Sequence, residues 1–274
     1  IILGVRESVG VEAFEAWGWR IPFLVSIVLL GVSVWIRMQL SESPLFQQMK
    51  DEGKLSKAPL TESFFSKNGR IVLLALLGAT AGQAVVWYAG QFYAMYFLSQ
   101  SLKVDSTTTW MLIGGALVLG TPFFVFFGWL SDRIGRKPIL MLGLLLATVL
   151  YFPLFKALSH YANPQIDAAS RQAPIVVMAD PQGCTFQFDP VGKARFDSPC
   201  DKVKTFPVKQ GLPYSSVAAP AGSGVQVSIG EIKIDGYDEA ALRGAVTLAG
   251  YPQAADTQQV NKGMIVALIV ALII

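Results

Sequence analysis

One histidine and two cysteines in 274 residues leave little with which to build a metal centre. Transition-metal sites draw on Cys and His clustered at short spacing. His160 stands alone, Cys184 and Cys200 are far apart, and neither a metal nor an organic cofactor is expected. No G-x-x-x-x-G-K-S/T stretch occurs, and the GSG at 222–224 is an ordinary loop, which excludes a P-loop ATP engine. Asp180, Asp189 and Asp201 lack a nucleophile–base arrangement, and aspartates in D-P turns are usually structural, so the chain does not read as an enzyme. Charge is scarce as well. Only 15% of residues are charged, against roughly 25% in an ordinary soluble domain.

What charge there is, is clustered. Ile21–Ile36, Ile71–Gln100, Trp110–Leu130 and Ile139–Phe155 contain no Asp, Glu, Lys or Arg. A helix needs about 20 mostly apolar residues to cross the hydrocarbon core, and a soluble helix rarely stays uncharged on every face for so long. Four membrane spans are therefore predicted, at about 20–38, 71–100, 110–131 and 139–158. The chain begins Ile1–Val5 without an initiator Met or signal peptide, and it closes on eleven apolar residues, Met264–Ile274. It is expected to be a piece of a longer protein, with 263–274 starting a further span.

Orientation follows from the loops. At the end of the first span and in the loop 39–70, Arg37, Lys50, Lys54, Lys57, Lys67 and Arg70 outnumber Glu42, Asp51, Glu52 and Glu62. Between the third and fourth, Arg133, Arg136 and Lys137 face only Asp132. Lys and Arg resist translocation, which puts both loops in the cytoplasm. Alternation then places 159–262 outside. That stretch carries nine Lys/Arg, ten Asp/Glu and both cysteines. Ala173–Ala179, Thr185–Phe188 and a hairpin of Val225–Ile229 with Glu231–Asp235 around Gly230 read as strands, and Asp238–Ala249 as a helix stopped by Gly250 and Pro252. The fold class is an all-α polytopic bundle with a small α+β extracytoplasmic domain inserted. Its balanced charge offers no basic patch for nucleic acid. In an oxidising compartment Cys184 and Cys200 are expected to pair, closing a loop of about 15 residues worth about 3 kcal/mol in the entropic account; two free thiols are the alternative.

In the second span, Gln83, Trp87 and Gln91 fall at i, i+4 and i+8, one helical stripe, with Tyr88 on an adjacent face. An amide in hydrocarbon needs a hydrogen-bond partner, so the stripe should face a cavity and hold a solute; helix–helix contact with an aromatic belt is the plainer reading. None of the four charge-free runs holds an ionisable side chain for a proton relay.

GWLSDRIGRKP at 128–138 resembles the G-x-L-S/A-D-R-x-G-R-K/R-P loop of the major facilitator superfamily. RMQLSESPLF at 37–46 resembles the R-x-x-L-x-E-S-P-x-F segment after the sixth helix of sugar and metabolite porters. AWGWRIPFLVS at 16–26 looks like the start of that helix in the metabolite:proton symporter branch, whose members resemble proline/betaine, ketoglutarate and shikimate transporters. The resemblance implies helices six to ten of a twelve-helix secondary transporter in the bacterial inner membrane. Its partners would be the lipid bilayer, an N-terminal half-bundle, a small organic solute and protons, with 159–262 in the periplasm. It also gives the hairpin a function. Gly128 and Gly135 permit close helix approach, Asp132 accepts from a helix N-terminus, and Arg133, Arg136 and Lys137 bridge to carboxylates such as Glu42, closing a cytoplasmic gate. The plainer reading is that these cations only fix topology. The alternative for the whole chain is a membrane-anchored sensor or partner-binding protein acting through its exported domain.

Overall fold

The computed structural model describes residues 2–40, 44–53, 58–65, 68–185, 187 and 195–274. The chain divides into two compact units, Ile1–Ala81 and Gly82–Ile274.

The first unit holds short helical turns over Ile2–Gly18 and then α1 (Arg20–Gln39). Phe23, Leu24, Ile27, Val28, Leu29 and Leu30 of α1 are all exposed. A helix this apolar on every face has water as its wrong solvent. Pro44–Asp51 and Pro59–Phe65 are short helices in the charged stretch that follows. Glu42 lies outside the described residues.

Three further helices have the length and composition to cross a bilayer: α2 (Gly69–Ser101), α3 (Ser106–Ile134) and α4 (Arg136–Ala162). Asp105 caps α3 by accepting from Thr108 N at 3.0 Å. Within the second unit, α2 from Gly82 onward, α3 and α4 surround a later helix, α8 (Lys262–Ile273), whose Ile265, Ile269, Leu272 and Ile273 are buried. Leu98, Leu102, Leu112, Leu158 and Val260 close the same core.

Between α4 and α8 lies an α+β unit. After α5 (Pro164–Gln172) come β1 (Ile175–Ala179), α6 (Pro199–Gln210), β2 (Tyr214–Ala218), β3 (Gln226–Ile229), β4 (Ile232–Asp235) and α7 (Glu239–Leu248). The sheet order is β2-β1-β3-β4, with β1 parallel to β2 and antiparallel to β3. A parallel pair needs a crossover, and α6 supplies it. Ile175 and Val177 of β1 bury against Val203 and Phe206 of α6 and Leu242 of α7. The hairpin turns at Gly230, whose φ of +58° suits glycine.

Two elements differ from the sequence expectation. Phe186 and Phe188 fall outside the described residues, and Thr185 and Gln187 belong to no strand. Their polar groups instead serve α6: Thr185 N and Oγ1 donate to the Asp201 carboxylate, and Gln187 Nε2 donates to Asp201 O at 3.1 Å. β2 and α6 escape a periodicity search because β2 is an edge strand exposed along most of its length and α6 begins Pro-Cys-Asp and contains Pro207.

Asp201 is the third residue of α6. Its amide donates to the capping Ser198 Oγ at 3.1 Å, and its own side chain is 1% exposed. Cys200, one residue before, is bonded to Cys184 across 5.3 Å between Cα atoms, so the disulfide and the carboxylate clamp the same segment onto the same helix end. Asp180 is structural: it accepts from Gln182 N and from Gly222 N, tying the turn after β1 to a distant loop.

Burial opposes ionisation of Asp201, but hydrogen bonds from Thr185 and Ser198 outweigh it and hold the carboxyl below its usual range. The sign follows from linkage. A carboxyl lowered on folding contributes stability above its unfolded value of about 3.9, and that contribution is lost as pH falls through the lowered folded value. Asp201→Asn should cost about 1–3 kcal/mol at neutral pH and weaken the acid-side loss of stability. Hydrogen exchange at the α6 amides between pH 3 and 7 checks both.

Candidate functional site

Gln83 and Trp87 line an apolar cavity of about 500 Å³ bounded by α2, α3, α4 and α8. That volume lies within the roughly 300–1,000 Å³ of small-molecule sites. Phe123, Phe124 and Phe127 of α3 form one wall, with Trp87 5.8 Å from Phe124 ring to ring. Tyr151 of α4 forms part of another; its hydroxyl sits 2.9 Å from Val86 O and 3.1 Å from Leu272 O, tying α2 and α8 to α4. The Gln83 amide, Trp87 indole and Tyr151 hydroxyl are the polar side-chain groups on an otherwise hydrocarbon surface.

The predicted stripe is split. Gln91 and Tyr88 do not line the cavity. Ala81–Tyr88 is α-helical, but Ala89–Tyr93 is π-helical, with Ala94 N donating to Ala89 O five residues back. The wider turn breaks the i, i+4, i+8 alignment and carries Gln91 off the face that Gln83 and Trp87 share. Tyr88 is exposed and stacks on Phe92 with ring centroids 5.1 Å apart. Gln91 Nε2 is buried with no hydrogen-bond partner, as is Thr109 Oγ1. α2 has two more π-helical stretches, Ala75–Thr80 and Phe97–Ser101. No periodicity argument anticipates such segments, because each rests on a local change of backbone hydrogen-bond partner. Tyr151 and the α3 phenylalanines were also missed. The available signals were a lone tyrosine in the apolar run 139–155 and Phe123/Phe127 at i, i+4.

The π-helical turn also serves packing. A Cβ at Gly90 would sit 2.6 Å from Leu272 O, so only glycine lets the α8 backbone approach here.

At the other end of α3, Gly135 separates Ile134 from Arg136 with φ of +95°. That dihedral favours glycine. A Cβ at Gly128 would meet nothing within 4 Å, and one at Gly135 would meet only Pro138. Among the described residues no helix packs against either glycine. Asp132 pairs along the chain with Arg136 at 3.8 Å, both largely exposed, and caps no neighbouring helix among the described residues. The Arg133 guanidinium lies 4.0 Å over the Trp129 ring. Lys137 is exposed.

Residues 9–162 match the Major Facilitator Superfamily profile. The chain belongs to that superfamily. The match stops where α4 stops, before the α+β unit. Superfamily relatives include the shikimate transporter of Escherichia coli (strain K12), 32% identical over 152 residues that make up 54% of this chain and 34% of the relative. The proline/betaine transporter of the same organism is 30% identical, over 57% of this chain and 32% of its own length. The glycine betaine/proline/ectoine/pipecolic acid transporter OusA of Dickeya dadantii (strain 3937) is also 30% identical, with the same coverage. The chain thus spans about a third of the length of the curated relatives it matches. No solved structure matches. Family membership and the apolar helices make this a multi-pass membrane protein.

Gly90→Ala should drive α8 away from α2, at an overpacking cost of about 1–3 kcal/mol. Thermal unfolding of the purified protein, followed by exposure of buried side chains, checks this; a transition unchanged from wild type would contradict the packing.

Proposed function

We propose that this chain is part of a secondary active transporter that moves a small organic solute across the bacterial inner membrane by alternating access. The carrying observation is the membrane-embedded cavity in which an amide, an indole and a phenol stand in hydrocarbon. Polar groups at that depth are costly unless something pairs with them, and a solute carboxylate or hydroxyl would do so at Gln83. Trp87 and the phenylalanines would cover an apolar body or a quaternary ammonium. The names of the relatives, shikimate and proline/betaine transporters, support an organic acid or zwitterion of this class.

The basic loops support a cytoplasmic hairpin at 128–138 and a periplasmic position for the α+β unit, an inserted domain within the bundle. Arg133, Arg136 and Lys137 then serve as a cytoplasmic gate with carboxylates of the other half-bundle. Protons are the proposed coupling ion. Their relay would lie on helices outside this chain, because the charge-free runs of α2 and α3 offer no titratable carboxyl.

A second reading, the sensor, draws on one junction. Asn163 Nδ2 donates to Leu102 O at 3.0 Å and Ala255 N donates to Lys103 O at 2.9 Å, so the α+β unit is hydrogen-bonded to the α2–α3 loop. A ligand on that unit could bias the helices through these contacts.

Uptake of labelled organic acids and betaines into cells expressing the full-length parent, with and without an uncoupler, tests the first reading. Uncoupler-sensitive uptake of one compound is expected; none at all, with protein shown at the membrane, favours the sensor. Gln83→Leu should weaken apparent affinity by about tenfold, one lost hydrogen bond to a charged group, while Gln91→Leu leaves affinity unchanged. Arg133→Ala with Arg136→Ala should lower transport with normal surface expression. Unchanged transport would remove the gate.

A further inference from the structure

The α+β unit has a cavity of its own, about 360 Å³, where α6 meets the β4–α7 corner. Lys202, Phe206 and Lys209 recur at i, i+4 and i+7 along α6, so one helix face turns two ammonium groups and an aromatic ring toward it. Phe196 and Tyr237 supply further aromatic surface, and Arg243 of α7 completes the lining cations.

The charges here are divided into those already committed and those left over. Arg243 Nε and Nη2 both donate to Glu239 Oε1, at 3.0 and 2.6 Å, and Tyr237 Oη donates to Glu239 Oε2 at 3.1 Å. Glu239 is thereby occupied in orienting the guanidinium and the phenol. Lys202 and Lys209 are exposed, and the Arg243 and Tyr237 hydrogen bonds, with the Lys209 charge, hold the Glu239 carboxyl below its usual range. Asp197 is the other carboxylate on the wall. Three lining cations, Lys202, Lys209 and Arg243, against two carboxylates, Asp197 and Glu239, leave an excess of one positive charge beside aromatic faces.

We propose that this cavity is a second binding site, for a small cyclic organic monocarboxylate. The carboxylate sits between Lys202 and Lys209, with remaining Arg243 N–H donors within the same cavity. The ring lies against Phe196, Phe206 and Tyr237. The site is separate from the membrane cavity and stands whether or not the chain belongs to a transporter. It is composed from three parts of the sequence, 196–197, 202–210 and 237–243, which only the β1-α6-β2 crossover and the β3-β4 hairpin bring together.

Calorimetric titration of benzoate into the purified full chain in detergent, at low salt, tests this, with choline as the probe of opposite charge. Benzoate should bind and choline should not bind at this site. Lys202→Ala with Lys209→Ala should weaken benzoate at least about tenfold, equal to 1.4 kcal/mol, with an unchanged thermal transition because both side chains are exposed. Trp87→Ala should leave benzoate binding intact. No benzoate binding, or binding unaffected by the double lysine variant, overturns the proposal. Binding lost in Trp87→Ala but kept in the lysine variant overturns it as well, since the probe then occupies the membrane cavity, and in that case the transport reading survives.

Discussion

Asn163 is 2% exposed and uses both ends of its amide. Oδ1 accepts from Ile166 N at 3.1 Å and starts α5; Nδ2 donates to Leu102 O in the α2–α3 loop. The arrangement of the second unit follows from that one side chain. A chain leaving a membrane helix has unsatisfied carbonyls behind it and unsatisfied amides ahead, and buried polar backbone must be paired. The Asn163 side chain pairs one of those amides, Ile166 N, and a carbonyl from elsewhere in the fold, Leu102 O. It therefore fixes where α4 ends, where the α+β unit begins, and which loop that unit rests on. On the return, the Asn261 side chain accepts from Met264 N as the cap of α8 while its backbone N–H donates to Tyr161 O.

Between these two asparagines the chain makes an independent core, yet the unit does not hang on a flexible stalk. Leu102 and Val104 from the α2–α3 loop share a core with Leu158, Ala162 and Val260. Lys103 stands between them with φ of +58°, the one non-glycine residue of positive φ among the described residues, and its carbonyl receives Ala255 N. A left-handed lysine costs roughly 1–2 kcal/mol, held in place by the contacts on either side. The same loop thus accepts strain, hydrogen bonds and apolar contact from the α+β unit.

Much of this architecture was legible beforehand because it rests on composition over long windows. Uncharged runs located the four long helices, Gly230 located the hairpin, and Gly250 with Pro252 located the end of α7. The candidate site was half legible. Gln83 and Trp87 line the cavity, whereas Gln91 was assigned to the same face by a periodicity that the π-helical turn at 89–93 interrupts. The positive dihedral of Gly135 and the close approach of backbone at Gly90 were not read from the sequence. Sequence patterns report the average helix, and a single change of hydrogen-bond partner is invisible to them.

The sequence by itself determined that the chain prefers a bilayer and which loops carry positive charge, because hydrophobicity and charge act residue by residue with no reference to partners. It also determined the family, since the 128–138 hairpin is a local motif. Only the tertiary structure decided that Tyr151 joins the backbones of α2 and α8, that Asp201 and the Cys184–Cys200 bond hold one helix end together, and that Lys202, Lys209, Tyr237 and Arg243 share a cavity. Those pairings join residues up to 121 positions apart. Long-range contacts depend on how helices cross and strands order, which no local spacing encodes.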